Sequence, residues 1–297
     1  ADVFVESYPP GTLPGWGLGY ADLVRLKPDL IYASITDFGQ TGPYRDYQGG
    51  EIVAEALGGL LYTMGLPERE PLKISGDAAL MTGGISAFSA ILVAIHQRDE
   101  TALGQYIDVA LMESVAVSQI HSSLSAQFGG HDPGRRPSTM SRAKDGWITA
   151  AIQQGAWRRF CDVIGRPDLA DDPRLADWAS RRDNPEVLDE AMAGWLATQA
   201  KEDVYHLLQS MRSVAGYVAD VGDLFRSKQY QAREFFRPVD HPATGPIDYP
   251  GPAFRIDDDA WRQERAPLLG EQNDAVLHGE LGLPKAELAR LRAQGAI

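Results

Sequence analysis

The sequence predicts an α/β protein, with a parallel sheet in a large domain and a second, smaller α/β domain after it. Three observations carry that expectation. Residues 3–35 read strand, helix, strand, the alternation of a βαβ unit. Residues 71–114 read loop, buried helix, charged turn, strand and second helix. A new strand at 147–152 follows a break rich in glycine and proline, and several helices follow it.

Val3, Phe4 and Val5 form a short strand of the buried type that runs into Ser7-Tyr8-Pro9-Pro10-Gly11, a break with strong turn chemistry. A helix is expected over 20–26. Pro28-Asp29 turns the chain into a second strand over 30–35, which ends in the polar loop 36–43. In parallel sheets, ligands sit outside the carboxyl ends of the strands. That rule places Ser7 and Tyr8 on one rim with Phe38 and Gln40.

A helix over 51–62 is expected, with Ile52, Val53, Ala56, Leu57 and Leu60 inward. In the central stretch Ala87, Ile91 and Ile95 recur at helical spacing, and Phe88 and Leu92 widen the apolar stripe. Gly83 and Gly84 near its start let another backbone or a ligand come close. Asp77 lies just before it, where the positive end of the helix dipole favours a carboxylate. Residues 106–111 are short and largely apolar, as strands of a covered sheet are, and Asp108 within them reads as a structural hydrogen-bonding residue. A further helix over 113–128 presents Val115, Val117, Ile120 and Leu124 as its apolar contacts.

Residues 129–142 hold glycine, proline and basic residues without periodicity, which marks a linker or an active-site loop. His131, Arg135 and Arg136 there suit phosphates or a substrate carboxylate, or simply solvate the linker. Beyond the strand at 147–152, helices are expected over 156–164, 185–199, 201–210 and 221–227, with another short extended run at 214–218. Trp157, Phe160, Trp178 and Trp195 read as core. From His241 the chain is an extended return rich in proline and glycine, and a last helix over 283–294 turns Leu288 and Leu291 inward.

Composition narrows the function classes. The net charge of -13 argues against a nucleic-acid partner, which needs a basic face. It leaves room for an anionic ligand held by a few local cations and helix N-termini. No run of about 18 apolar residues is read, so no membrane partner is expected. Cys161 is the single cysteine, so no internal disulfide forms, a reducing cytoplasm is expected, and the residue reads as a small core side chain. The six histidines are scattered, which leaves no ligand spacing for a metal. Neither G-x-S-x-G nor G-x-G-x-x-G occurs, so hydrolase and nicotinamide readings lack support. Residues 1–6 read as a strand rather than a signal peptide, and a chain opening inside a strand suggests a missing beginning.

The stretch from Pro71 to Ser114 also resembles the centre of the class III CoA-transferases, the CaiB/BaiF or formyl-CoA transferase family. The family pattern is a proline-led loop, an aspartate, a glycine four residues later, an alanine-rich helix and T-G-x-G-Q-x-V-D-V-x-L. Gly84, the helix and Ala102-Leu103-Gly104-Gln105-Tyr106-Ile107-Asp108-Val109 match it, and Leu80 stands at the aspartate's position. ADVFVESYPPG is similar to the family's A-D-V-x-x-E-N-F-x-P-G, and IYASITDFGQTGP to its I-Y-x-S-I-x-G-F-G-Q-T-G-P. Ser7 replaces the usual Asn, and Gly15 stands where relatives often carry a basic residue. Trp157-Arg158-Arg159-Phe160, residues 166–173 and residues 266–273 resemble further family motifs. Residues 44–63 and 75–80 are most similar to the benzylsuccinate CoA-transferase branch.

The resemblance implies a Rossmann-like, N-terminally incomplete large CoA-binding domain over 1–128, a linker over 129–143 and a small α/β domain over 144–238. A return linker and C-terminal helices over 239–297 would pack on the large domain, in the interlocked-dimer CoA-transferase fold. It implies coenzyme A or acyl-CoA and a small carboxylic acid as substrates, and a homodimer or a heterodimer with a homologous subunit. Ser7, Tyr8, Thr36, Phe38 and Gln40 are the positions that would approach CoA. In the family the aspartate carries the reaction, first as a mixed anhydride with the donor acid and then as an aspartyl-CoA thioester that the acceptor acid attacks. Leucine cannot do this. Three readings stay open: Asp77 substitutes for it, a partner subunit supplies the carboxylate, or the chain binds CoA without turnover. Asp37, Asp108 and Glu113 are the other carboxylates expected near the site.

Overall fold

The computed structural model describes residues 1–129, 134–135, 140–256 and 262–297. His131 and Arg136 lie outside the described residues. The described chain forms two compact units, Ala1–Arg142 with Ile152–Ala197, and Ala143–Ala151 with Thr198–Ile297.

The first unit is built on a parallel sheet of β1 (Val3–Glu6), β2 (Ile31–Thr36) and β3 (Tyr106–Ala110), in the order β1-β2-β3. Val3 pairs with Ile31, and Ser34 with Asp108. The middle strand is buried at five of six positions, which is why 31–36 reads as a continuous apolar run rather than an alternating one. A short turn of helix, α1 (Thr12–Gly15), and α2 (Tyr20–Leu26) connect β1 to β2. Phe4 stacks on Tyr32 at 5.0 Å, beside buried Leu13 and Leu30.

The expected helix over 51–62 is two helices, α3 (Glu51–Leu57) and α4 (Leu60–Thr63). The break falls at Gly58-Gly59, where Gly59 adopts φ 83 and a Cβ on Gly58 would meet Val115 at 2.6 Å. Ala54 and Glu55 are the buried residues, whereas Ile52, Ala56 and Leu57, expected inward, are exposed.

The central helix α5 (Ala78–Thr101) packs on β2, β3, α3 and α6 (Leu111–Val117). It is not a fully buried helix. Ala79, Gly83, Ala87 and Ala94 face the unit, while Leu80, Met81, Ile85, Phe88, Leu92 and Val93 are exposed. Small residues make the inner seam because they let the helix lie close to the sheet. By length and composition alone this helix is apolar enough to cross a membrane, contrary to the expectation that no such run exists. Its serines, threonine and glycines interrupt the apolar residues without adding charge. The helix expected over 113–128 is likewise split, into α6 and α7 (Ile120–Phe128). Of its expected contacts Val115 is buried, whereas Val117, Ile120 and Leu124 are exposed.

The same unit contains a short strand, β4 (Met140–Arg142), and the helices α8 (Trp157–Val163), α9 (Trp178–Asp183) and α10 (Pro185–Leu196). Trp157 and Phe160 are buried, and Trp195 meets Phe160 edge-on at 6.2 Å. Arg181 is buried over the Trp157 ring at 4.7 Å and donates to the Leu175 carbonyl at 2.9 Å. Trp178, expected in the core, is exposed at the start of α9. Cys161 is buried as expected, and burial pushes its thiol up to about 11.

In the second unit β5 (Trp147–Ala151) pairs antiparallel with β6 (Val214–Tyr217), backed by α11 (Lys201–Ser210). Two short helices follow, α12 (Val221–Arg226) and α13 (Lys228–Ala232), then the hairpin of β7 (Phe236–Val239) and β8 (Ile247–Pro250). The last helix, α14 (Lys285–Ala293), buries Leu288 as expected.

Candidate active site

The carboxyl ends of β1 and β2 carry the two loops expected on one rim. After β1, the Tyr8 N–H donates to Glu6 Oε2 at 2.8 Å, and the Tyr8 ring meets Trp16 edge-on at 5.4 Å. Ser7 and Tyr8 are both exposed. After β2, the Gln40 N–H donates to both oxygens of Asp108, at 3.2 and 3.0 Å, which ties the loop to β3. Phe38 packs edge-on against Tyr44 and Tyr47, whose rings stack on one another at 5.0 Å. Thr36 is buried at the end of β2, and its hydroxyl has no hydrogen-bond partner among the described residues.

A cleft of about 290 Å³ opens below this rim, lined by Glu6, Pro10, Gly11, Tyr20, Tyr32, Ser34, Gln40 and Tyr106. Of the five expected ligand residues only Gln40 lines it. Ser7, Tyr8, Thr36 and Phe38 lie on the same loops and strand end but outside its wall. The floor is polar: Tyr106 Oη donates to Ser34 Oγ at 3.1 Å. Burial, with Glu6 and Tyr106 adding to it, pushes the Tyr32 phenol up to about 12, so it stays a neutral donor, and its hydroxyl donates a hydrogen bond to the Leu18 carbonyl at 3.3 Å.

A second cluster lies at the start of α5. Asp77 is its N-cap residue but makes no side-chain cap bond, and both Asp77 and Leu80 are exposed. The cap comes from elsewhere. Glu51 Oε1 accepts from the Ala79 N–H at 2.8 Å, and Oε2 from the Leu80 N–H at 2.9 Å. Lys73 Nζ lies 3.9 Å from Glu51 Oε1 and 3.8 Å from Glu55 Oε1. Burial pushes the Glu51 carboxyl up, but the two backbone donors and the Lys73 ammonium outweigh it and hold the group below the usual carboxylate range.

Glu51, Glu55 and Lys73 are not among the residues that the sequence motifs single out. The signal available was a pair of glutamates four residues apart, which share one helix face. Of the other carboxylates expected nearby, Asp108 is committed to the Gln40 loop, and Glu113 lies in the first turn of α6. Among the described residues no group of three or more His, Cys, Asp and Glu is placed to hold a metal ion.

A catalytic carboxylate set at a helix N-terminus, beside a sheet whose loops carry the matching motifs, is what the sequence resemblance asks of this region. The sequence model of the family described as CoA-transferase family III matches residues 1–273. The chain belongs to CoA-transferase family III.

Relatives of this transferase agree along its length. Succinyl-CoA–D-citramalate CoA-transferase of Chloroflexus aurantiacus is 31% identical over 310 residues, covering 100% of this chain and 76% of its own. The succinyl-CoA–L-malate CoA-transferase beta subunit of the same organism is 28% identical, covering 100% of this chain and 77% of its own. A CAIB/BAIF family protein from Brucella suis has a solved structure with TM-score 0.80 and 29% identity, covering 94% of this chain and 75% of that one. The fold is therefore that of a CoA-transferase, and the enzyme's substrates are a CoA ester and a carboxylate. In this family III CoA-transferase the α5 start carries Leu80 and, against it, the carboxylate of Glu51.

Proposed function

We propose that the enzyme moves CoA from an acyl-CoA to a small carboxylic acid, with the rim loops holding CoA and acyl transfer taking place at the start of α5. The observation that carries this is the Gln40 loop: it is held on β3 by Asp108 while Gln40 itself lines the cleft. Ser7, Tyr8, Thr36, Phe38 and Gln40 are the CoA-side positions in this reading. Asp77 and Glu51 are the carboxylates at the start of α5 in this reading. The four-part division at 128, 143 and 238, and a reducing cytoplasm suited to the lone, buried Cys161, belong to the same proposal.

A dimer of homologous chains fits the exposed apolar side of α5, which runs through Ile85, Phe88 and Leu92. A second reading has its own observation behind it. Leu80 stands where the family resemblance asks for aspartate, and one similar protein is named as a beta subunit. In that reading a homologous partner supplies the carboxylate.

The test is direct. The full chain is incubated with succinyl-CoA and a panel of isotopically labelled small carboxylic acids, and labelled CoA esters are followed by mass spectrometry. Label entering a CoA ester is the expected result, and Gln40→Ala should weaken use of the donor. Transfer to none of the acids overturns the proposal.

A further inference from the structure

Three carboxylates stand at the start of α5, and their geometry separates them. Asp77 is exposed and its side chain bonds to none of the helix N–H groups. Glu55 is fully buried, and neither of its oxygens has a hydrogen-bond partner among the described residues. Glu51 lies between these extremes, with its side chain 13% exposed and both oxygens on first-turn N–H groups. One of those groups is the N–H of Leu80, at 2.9 Å. The carboxylate missing from residue 80 is thus present beside it, delivered from α3.

The surroundings exceed what a helix cap needs. A cap requires one acceptor at the N–H groups. Here a second glutamate, one turn along the same face of α3, is buried without a hydrogen-bond donor, which costs stability unless a charge answers it. Lys73 answers it from 3.8 Å while donating to the Ile74 and Gly76 carbonyls of the loop that leads into α5. Lys73 therefore stands between the two glutamates, 3.9 Å from Glu51 Oε1 and 3.8 Å from Glu55 Oε1.

We infer that Glu51 is the nucleophile of the transfer, standing in for the carboxylate that Leu80 lacks; this rests on the transferase reading above. One Glu51 oxygen attacks the donor's thioester carbonyl and the C–S bond breaks, giving a glutamyl–acyl anhydride and CoA thiolate. The thiolate adds to the glutamyl carbonyl, and the C–O bond to the donor acid breaks, which leaves a glutamyl-CoA thioester and a free donor carboxylate. The acceptor carboxylate attacks that thioester and releases the thiolate again. The thiolate then takes the acceptor's acyl group and restores the Glu51 carboxylate. No net proton or electron is consumed. In the two steps that attack the glutamyl carbonyl, negative charge develops on a Glu51 oxygen, and the Ala79 and Leu80 N–H groups are the donors bonded to the Glu51 oxygens.

The test traps the intermediate in the unmodified chain. The protein is incubated with succinyl-CoA and hydroxylamine and its peptides are mapped by mass spectrometry, while parallel tubes measure label transfer to free acids. Transfer together with a hydroxamate on Glu51 is expected. Transfer with the hydroxamate on Asp77, or on a homologous chain that co-purifies, overturns the inference and leaves the transferase reading standing. Transfer with no adduct anywhere overturns it too. Absence of transfer overturns both. Glu51→Gln should abolish the adduct and lower transfer by more than about a thousandfold, with circular dichroism reporting on its fold.

Discussion

Gln40 and Asp108 are 68 residues apart in sequence, yet the Gln40 N–H donates to both oxygens of the Asp108 carboxylate, at 3.2 and 3.0 Å. This bond turns a strand-end loop into a fixed rim of the cleft. Asp108→Ala is expected to raise KM for the acyl-CoA more than it lowers kcat, because the loop is freed while the α5 start is untouched. The loss in stability is about 1 kcal/mol, as for a single side-chain to backbone interaction. Steady-state kinetics and urea unfolding of the variant check both parts. An unchanged KM would remove the loop from substrate binding.

Gly104 sets how closely the turn after α5 approaches β2. A Cβ there would lie 2.0 Å from the Leu30 carbonyl oxygen, and the Gly104 N–H already donates to the Pro28 carbonyl at 3.0 Å. The clash is with main chain, which cannot step aside as a side chain can. Gly104→Ala is expected to cost about 3 kcal/mol, read as a fall in Tm. A variant as stable as the parent would contradict this packing.

In the second unit the Lys201 ammonium, then the Asp220 N–H, hold the Asp223 carboxyl at about 2, below its ordinary 3.8. A carboxyl whose folded pKa is depressed adds stability above its unfolded value and loses it as pH falls through the folded one. The contribution of this pair is therefore complete above about 4 and fades towards about 2. Lys201→Met should flatten the dependence of the urea midpoint on pH across that window, with a smaller effect at higher acidity. An identical pH profile in parent and variant would show that the pair does not matter to folding.

Phe88 and Ile85 lie three residues apart on the outer side of α5, 62% and 67% exposed. If a second chain covers this face, Phe88→Glu should convert a dimer to single chains in light scattering, with little change in helix content. A parent protein that already runs as a single chain would sink the dimer proposal.

Much of the architecture is legible in the sequence. The strand, helix, strand of residues 3–36 and the strand at 106–110 lie where the apolar runs are, since local backbone preference and covered-strand composition act over a few residues. Periodicity was weaker on orientation. α5 is apolar on both sides, so its pattern did not say that the alanines face the sheet and Phe88 and Leu92 face away. In α3 the packing against α5 and α6 buries Ala54 and Glu55, not Leu57, and the apolar pattern of 51–57 did not say so.

The sequence by itself determined the α/β class, the family motifs, the rim loops and the absence of aspartate at residue 80. Only the tertiary structure placed the Glu51 carboxylate on the Ala79 and Leu80 N–H groups, because that contact joins residues 28 and 29 positions apart. Side-chain to main-chain bonds across such separations depend on how two helices pack. No local propensity encodes that distance.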